Sequence, residues 1–129
     1  RQKITKQVLL LLDDPQFAEL FGGNSRAEVP IIGRIAIGGA MRRVSGQIDR
    51  LAVTPDAVLI GDFKTNRPPP RRIEDVPDYV RQLALYRAVL MQLYPGKPVR
   101  AALICTEVPD LIELSGSVMD DTLAGITPA

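Results

Sequence analysis

The chain has 129 residues, 16 basic and 15 acidic side chains, 46% hydrophobic residues, one cysteine and no histidine, which suits a single domain with a hydrophobic core and excludes a disordered chain. Without histidine these residues hold no Ser-His-Asp or Cys-His nucleophile and no imidazole-bound zinc or iron, and Cys105 alone gives neither an intrachain disulfide nor a multi-cysteine metal site. A hydrolase built from them is left with carboxylates, lysine and hard metal ions.

Ile4, Val8, Leu11 and Leu12 recur at helical spacing, so residues 1–13 read as the end of a helix. Asp14 before Pro15 starts a second, short helix over 15–21, stopped by Gly22 and Gly23. Residues 28–37 are rich in Ile and Val and read as a strand; Gly38 and Gly39 are a hairpin turn, and 42–53 are the partner strand. Thr54, Pro55 and Asp56 make a turn into a third strand over 57–65, with Val58, Leu59 and Ile60 as a buried run. Short connections between consecutive strands predict an antiparallel meander. Pro68, Pro69 and Pro70 stiffen a loop over 66–72. Residues 77–94 carry the strongest helix signal, with Val80, Leu83, Ala84, Val89, Leu90 and Leu93 as the apolar face and Pro95 and Gly96 as the stop. Strands over 99–106 and 111–114 follow, and the pattern after Ser115 specifies little. The order predicts an α/β domain, a mixed β-sheet flanked by helices.

The longest aliphatic run, residues 8–12, is far short of the roughly 20 residues a membrane-spanning helix needs. No signal-peptide pattern is present. The absence of disulfide potential suits a reducing cytoplasm. A first residue of Arg1 in place of Met reads as one domain, 1–129, cut from a longer polypeptide at its N-terminal side. Charge is uneven: residues 1–72 carry 12 basic and 7 acidic side chains, residues 73–129 carry 4 and 8. The basic half, with Arg42, Arg43, Arg50, Lys64, Arg67, Arg71 and Arg72, suits phosphate contacts, although ordinary solvated charge reads as well from composition alone.

The chemistry concentrates in two segments, Gly46-Gln47-Ile48-Asp49-Arg50 and Gly61-Asp62-Phe63-Lys64-Thr65. Alternation along a strand puts Asp62 and Lys64 on one side and Phe63 on the other. Counted from the turn near Pro55, Asp49 and Asp62 lie almost symmetrically, so they are predicted cross-strand neighbours. Two adjacent carboxylates repel unless neutralised, and a divalent cation with oxygen ligands does this. Either aspartate alone reads equally as a strand-end residue paired with a basic side chain.

In order along the chain, Glu28-Val29-Pro30, Gly46-Gln47-Ile48-Asp49-Arg50-Leu51, Asp62-Phe63-Lys64-Thr65-Asn66 and Gln82-Leu83-Ala84-Leu85-Tyr86 together resemble the PD-(D/E)XK nuclease superfamily, and within it RecB-like nuclease domains such as the C-terminal domain of AddA-type helicase-nucleases. The resemblance implies a restriction-endonuclease-like fold and a metal-dependent DNA exonuclease module of an AddAB-type ATP-dependent helicase-nuclease in double-strand break repair. It implies Mg2+, with Mn2+ as a substitute, bound by Asp49, Asp62 and the Phe63 carbonyl. Lys64 matches the catalytic lysine and Glu28 the acidic residue near the metal, while Gln82 and Tyr86 match a Gln-x-x-x-Tyr helix motif facing the active site and DNA. Arg67, Arg71 and Arg72 would touch DNA phosphates. It further implies an AddB-like partner subunit, ATP used only by a helicase outside these residues, and a bacterial cytoplasmic location at the nucleoid. Such domains commonly complete the metal site with an upstream histidine, which this chain lacks, so the isolated fragment is expected to be weak or inactive. A catalytically silent DNA-binding or scaffolding domain is the alternative.

Overall fold

Five strands form one mixed sheet in the computed structural model, which describes residues 17, 19–23, 25–64, 77–105 and 110–125. They are β1 (Arg26–Ile37), β2 (Ala40–Val53), β3 (Val58–Lys64), β4 (Val99–Cys105) and β5 (Asp110–Leu114), hydrogen-bonded in sequence order. Helix α1 (Pro77–Leu93) connects β3 to β4, the one parallel pair; every other pair is antiparallel. The meander, the long helix and the two later strands agree with the sequence pattern to within two residues at the described ends. The expected helix over 1–13 and the loop over 66–72 lie outside the described residues.

Local chemistry explains the connections. Gly38 and Gly39 take φ of 60° and 81°, the left-handed values that a two-residue hairpin turn needs. At the next turn the Thr54 hydroxyl accepts from the Asp56 and Ala57 N–H groups and donates to the Ala57 carbonyl.

Each face of the sheet carries a packed core. The main core packs Ile31, Ile35, Val44, Ile48, Val58 and Ile60 against Val80, Leu83, Ala84, Val89 and Leu90 of α1. On the other face Phe17 and Leu20, the latter within a 3-10 turn at Glu19–Phe21, cover Ala52, Ala57, Leu59 and Ala102. The short helix expected over 15–21 is thus partly replaced by this tighter turn. Arg100 lies over the Phe17 ring, 4.6 Å from its centroid. Leu93, expected on the apolar face of the helix, is 62% exposed, because it is the last residue of α1, just before the chain turns back through Gly96.

Two findings depart from the sequence pattern. The tail after Ser115 forms a helix, α2 (Gly116–Ala124). Its N-cap is Ser115, whose hydroxyl accepts from the Val118 N–H at 3.1 Å, and Met119 anchors it in the main core. The second departure is in the first hairpin. Ile48 packs in the main core and Ala52 in the second, although residues four apart on a regular strand share a face. The inversion falls at the row of Asp49 and Glu28. The Glu28 backbone sits at φ 54°, a left-handed value rare for a non-glycine residue in a strand. The residues either side of this row keep one register, Ala27 with Arg50 and Val29 with Ile48, so the strands turn over together without slipping.

Candidate active site

The ladder between β2 and β3 runs from Val53–Val58 to Arg50–Gly61 and stops there. One step further along that register lie Asp49 and Asp62, and here side chains take over from the backbone. The Asp49 N–H donates to Asp62 Oδ1 at 3.4 Å, and the Phe63 N–H donates to Asp49 Oδ2 at 2.9 Å. Each aspartate thus takes up an N–H from the opposing strand. The other oxygen of each, Asp49 Oδ1 and Asp62 Oδ2, has no hydrogen bond among the described residues.

Asp62 is 4% exposed and is the one buried polar or charged side chain among the described residues. Burial first, and the negative charge of Asp49 second, push its carboxyl from 3.8 up to about 6, while the hydrogen bond from the Asp49 backbone holds it down. A carboxylate pair with two oxygens already aimed by N–H groups and two left over is a hard-oxygen donor set of the kind a divalent cation takes. Among the described residues no group of three or more acidic, cysteine or histidine side chains stands together. Glu28 is in the same row on β1 but exposed.

α1 reaches the site through Tyr86. Its hydroxyl accepts from the Gln47 backbone N–H at 3.2 Å and from Gln82 Nε2 at 2.7 Å. Gln47 is two residues from Asp49, beyond the end of the β2–β3 ladder, and the phenol takes up its N–H. This approach requires Gly46: a Cβ there would lie 2.1 Å from the Tyr86 hydroxyl. Gln47 then uses its own amide, donating to the Glu28 carbonyl at 3.2 Å, where the backbone is left-handed. On the far side Arg50 ties β2 to the N-terminal segment, donating to the Leu20 carbonyl at 3.0 Å and to the Ser25 hydroxyl.

The structure therefore brings Asp49, Asp62 and the Phe63 backbone together, with Tyr86 and Gln82 one hydrogen bond removed from β2. Tyr86 is buried and Gln82 exposed. Lys64 is the last residue of β3, in register with Cys105, and its side chain lies outside the described part. Arg67, Arg71 and Arg72 also lie outside the described residues. Sequence reasoning passed over Gly46 and Gln47 as positioning residues. The available signal was a glycine inside a strand, which marks close approach by another group.

A protein-family model for the PD-(D/E)XK nuclease superfamily matches residues 9–120. The chain belongs to the PD-(D/E)XK nuclease superfamily. Its mixed sheet with flanking helices is the restriction-endonuclease-like arrangement expected of that superfamily, whose members are nuclease-type hydrolases. No curated protein matches the chain. Among solved structures it is similar to the crystal structure of SSO0001, at 16% identity and a TM-score of 0.46, over 84% of this chain. The match spans 52% of that protein's chain, about half its length. Among the described residues no helix is long and apolar enough to cross a membrane.

Proposed function

We propose that this PD-(D/E)XK chain is a divalent-metal-dependent deoxyribonuclease module that hydrolyses phosphodiester bonds at Asp49 and Asp62. The observation that carries the reading is the reciprocal carboxylate pair where β2 and β3 part, with Asp62 buried beside a like charge. Burying an ionisable group beside another of the same sign costs stability, and such arrangements concentrate at functional sites.

Asp49 and Asp62 would hold Mg2+, or Mn2+ in its place, and the Phe63 carbonyl is assigned as a further ligand. A bound divalent ion neutralises the phosphate and lowers the pKa of coordinated water. Lys64, two residues beyond Asp62, is assigned to orient the attacking water and to stabilise charge on the phosphate. Glu28, in the same row on β1, is assigned to the surroundings of the metal. Of the helix pair, exposed Gln82 is the member available to DNA, while Tyr86 holds β2 at Gln47. Arg67, Arg71 and Arg72 are assigned to phosphates. We further infer a cytoplasmic exonuclease role within an AddAB-type helicase-nuclease, with an AddB-like partner. The support is the occurrence of the four motif segments in one order.

The test is cleavage of linear and circular DNA with Mg2+, with Mn2+ and with EDTA, by the 129-residue chain and by the intact protein containing it. Metal-dependent cleavage that Asp62→Ala reduces roughly a thousandfold, a loss of about 4 kcal/mol of transition-state stabilisation, is expected. Equal, readily measurable metal-dependent cleavage by wild type and Asp62→Ala would falsify the site. Loss of activity on circular DNA alone separates an exonuclease from an endonuclease.

A further inference from the structure

The hairpin of β1 and β2 extends past the rest of the sheet. β2 pairs with β3 only over residues 50–53, so residues 40–48 pair with β1 alone. One face of this arm is spoken for: Ile31, Ile35, Val44 and Ile48 pack in the main core, and Gly33 lies against Val89 of α1. The opposite face carries Ile32, Arg34 and Ala36 on β1, in register with Ser45, Arg43 and Met41 on β2. All six are exposed, and Ile32 and Met41 are each 63% exposed.

The charge on that face is unusual. Arg34 and Arg43 are direct register partners, and like charges placed directly opposite in an antiparallel pair are destabilising. The 20 residues from 29 to 48 contain three arginines and no aspartate or glutamate, so nothing within the arm offsets the repulsion. Arg43 and Asp49 lie on the same strand, β2, with Arg43 on the arm side of the row at which the faces invert. Six residues at about 3.3 Å each put Arg43 about 20 Å from Asp49 along the strand.

We propose that the outer face of this arm is a nucleic-acid backbone track, on which Arg34 and Arg43 together hold phosphates several nucleotides away from the bond at Asp49 and Asp62. Two forked guanidiniums side by side suit phosphate oxygens, and a polyanion removes the repulsion that the empty face carries. The contacts position the strand without reading its bases. The choice of DNA as the polyanion rests on the nuclease reading, and the surface itself rests on the arm.

The experiment measures binding of a fluorescent 20-nucleotide single strand and of the matching duplex to the 129-residue chain, in EDTA so that nothing is cleaved, across a salt series. The double variant Arg34→Ala/Arg43→Ala is expected to bind at least about tenfold more weakly, and to lower the slope of log affinity against log salt by roughly 2. Arg34→Lys/Arg43→Lys keeps most of the slope. Ile32→Lys, which adds a third cation to the same face at an already exposed position, tightens binding. Asp62→Ala keeps the wild-type salt slope, so a failed cleavage assay and a failed track are read separately. Unchanged affinity and slope in the alanine double variant, or no tightening by Ile32→Lys, overturns the proposal. So does a change of oligomeric state in the double variant by sedimentation, which assigns the face to self-association.

Discussion

Asp62 is the residue on which site and stability pull in opposite directions. An unfolded aspartate titrates near 3.8, and in the fold burial and Asp49 move this one to about 6. Because the folded value is raised, its stabilising contribution is fully present below about pH 4 and is lost as pH rises through about 6. The size is on the order of 3 kcal/mol, at about 1.4 kcal/mol per pKa unit. Asp62→Asn, which keeps an oxygen for the Asp49 N–H and cannot ionise, is therefore expected to raise the melting temperature of the metal-free protein at pH 7.5. It should also flatten the pH dependence between 4 and 6 while abolishing cleavage. A variant less stable than wild type at pH 7.5 sinks this account of the buried charge. Gly46 gives a second test at the same scale. In Gly46→Ala the new methyl and the Tyr86 hydroxyl cannot share their space. The expected cost is about 1–3 kcal/mol from overpacking and a released Gln47 N–H, read by chemical denaturation. Tyr86→Phe, which removes the hydroxyl from that contact, should make the Gly46→Ala cost smaller in a double-mutant cycle.

At the scale of elements, the period of the sequence placed the described strands and the long helix, because alternation and the 3.6-residue repeat are local properties. It missed α2 for an equally local reason. Gly116, Asp120, Asp121 and Thr122 lower the intrinsic helix signal, and the helix is held instead by its cap, by Met119 in the core and by Asp120, whose carboxylate sits 2.8 Å from Arg87 of α1. Ser115→Ala should then cost about 1 kcal/mol, with faster amide exchange confined to residues 116–124. Protection unchanged there would assign α2 to packing alone. Antiparallel pairing of β2 with β3 was legible from turn length, and with it the neighbouring of Asp49 and Asp62. The end of the ladder at Arg50–Gly61 and the inversion of faces at Glu28 were not, since both depend on what packs on either side of the sheet.

For the molecule as a whole, the site lies where two cores meet. β2 contributes Ile48 to one and Ala52 to the other, and the aspartates stand between, tied to α1 through Gln47 and Tyr86 and to the N-terminal segment through Arg50. A divalent ion that binds only the folded chain must stabilise it, by about 2.7 kcal/mol at a hundredfold excess over the dissociation constant. Binding needs the ionised carboxylate, so the rise in melting temperature on adding Mn2+ should be larger at pH 7.5 than at pH 5 and absent in Asp62→Asn. An equal rise in all three cases would place the ion elsewhere. By itself the sequence narrowed the candidate chemistry to carboxylates, lysine and hard metal ions, and laid out the elements in their order along the chain, because composition and period need no knowledge of neighbours. Only the tertiary structure decided that Asp62 is buried and that a glycine admits a phenol from α1 beside the candidate site. Those facts depend on residues far apart in the chain being brought into contact.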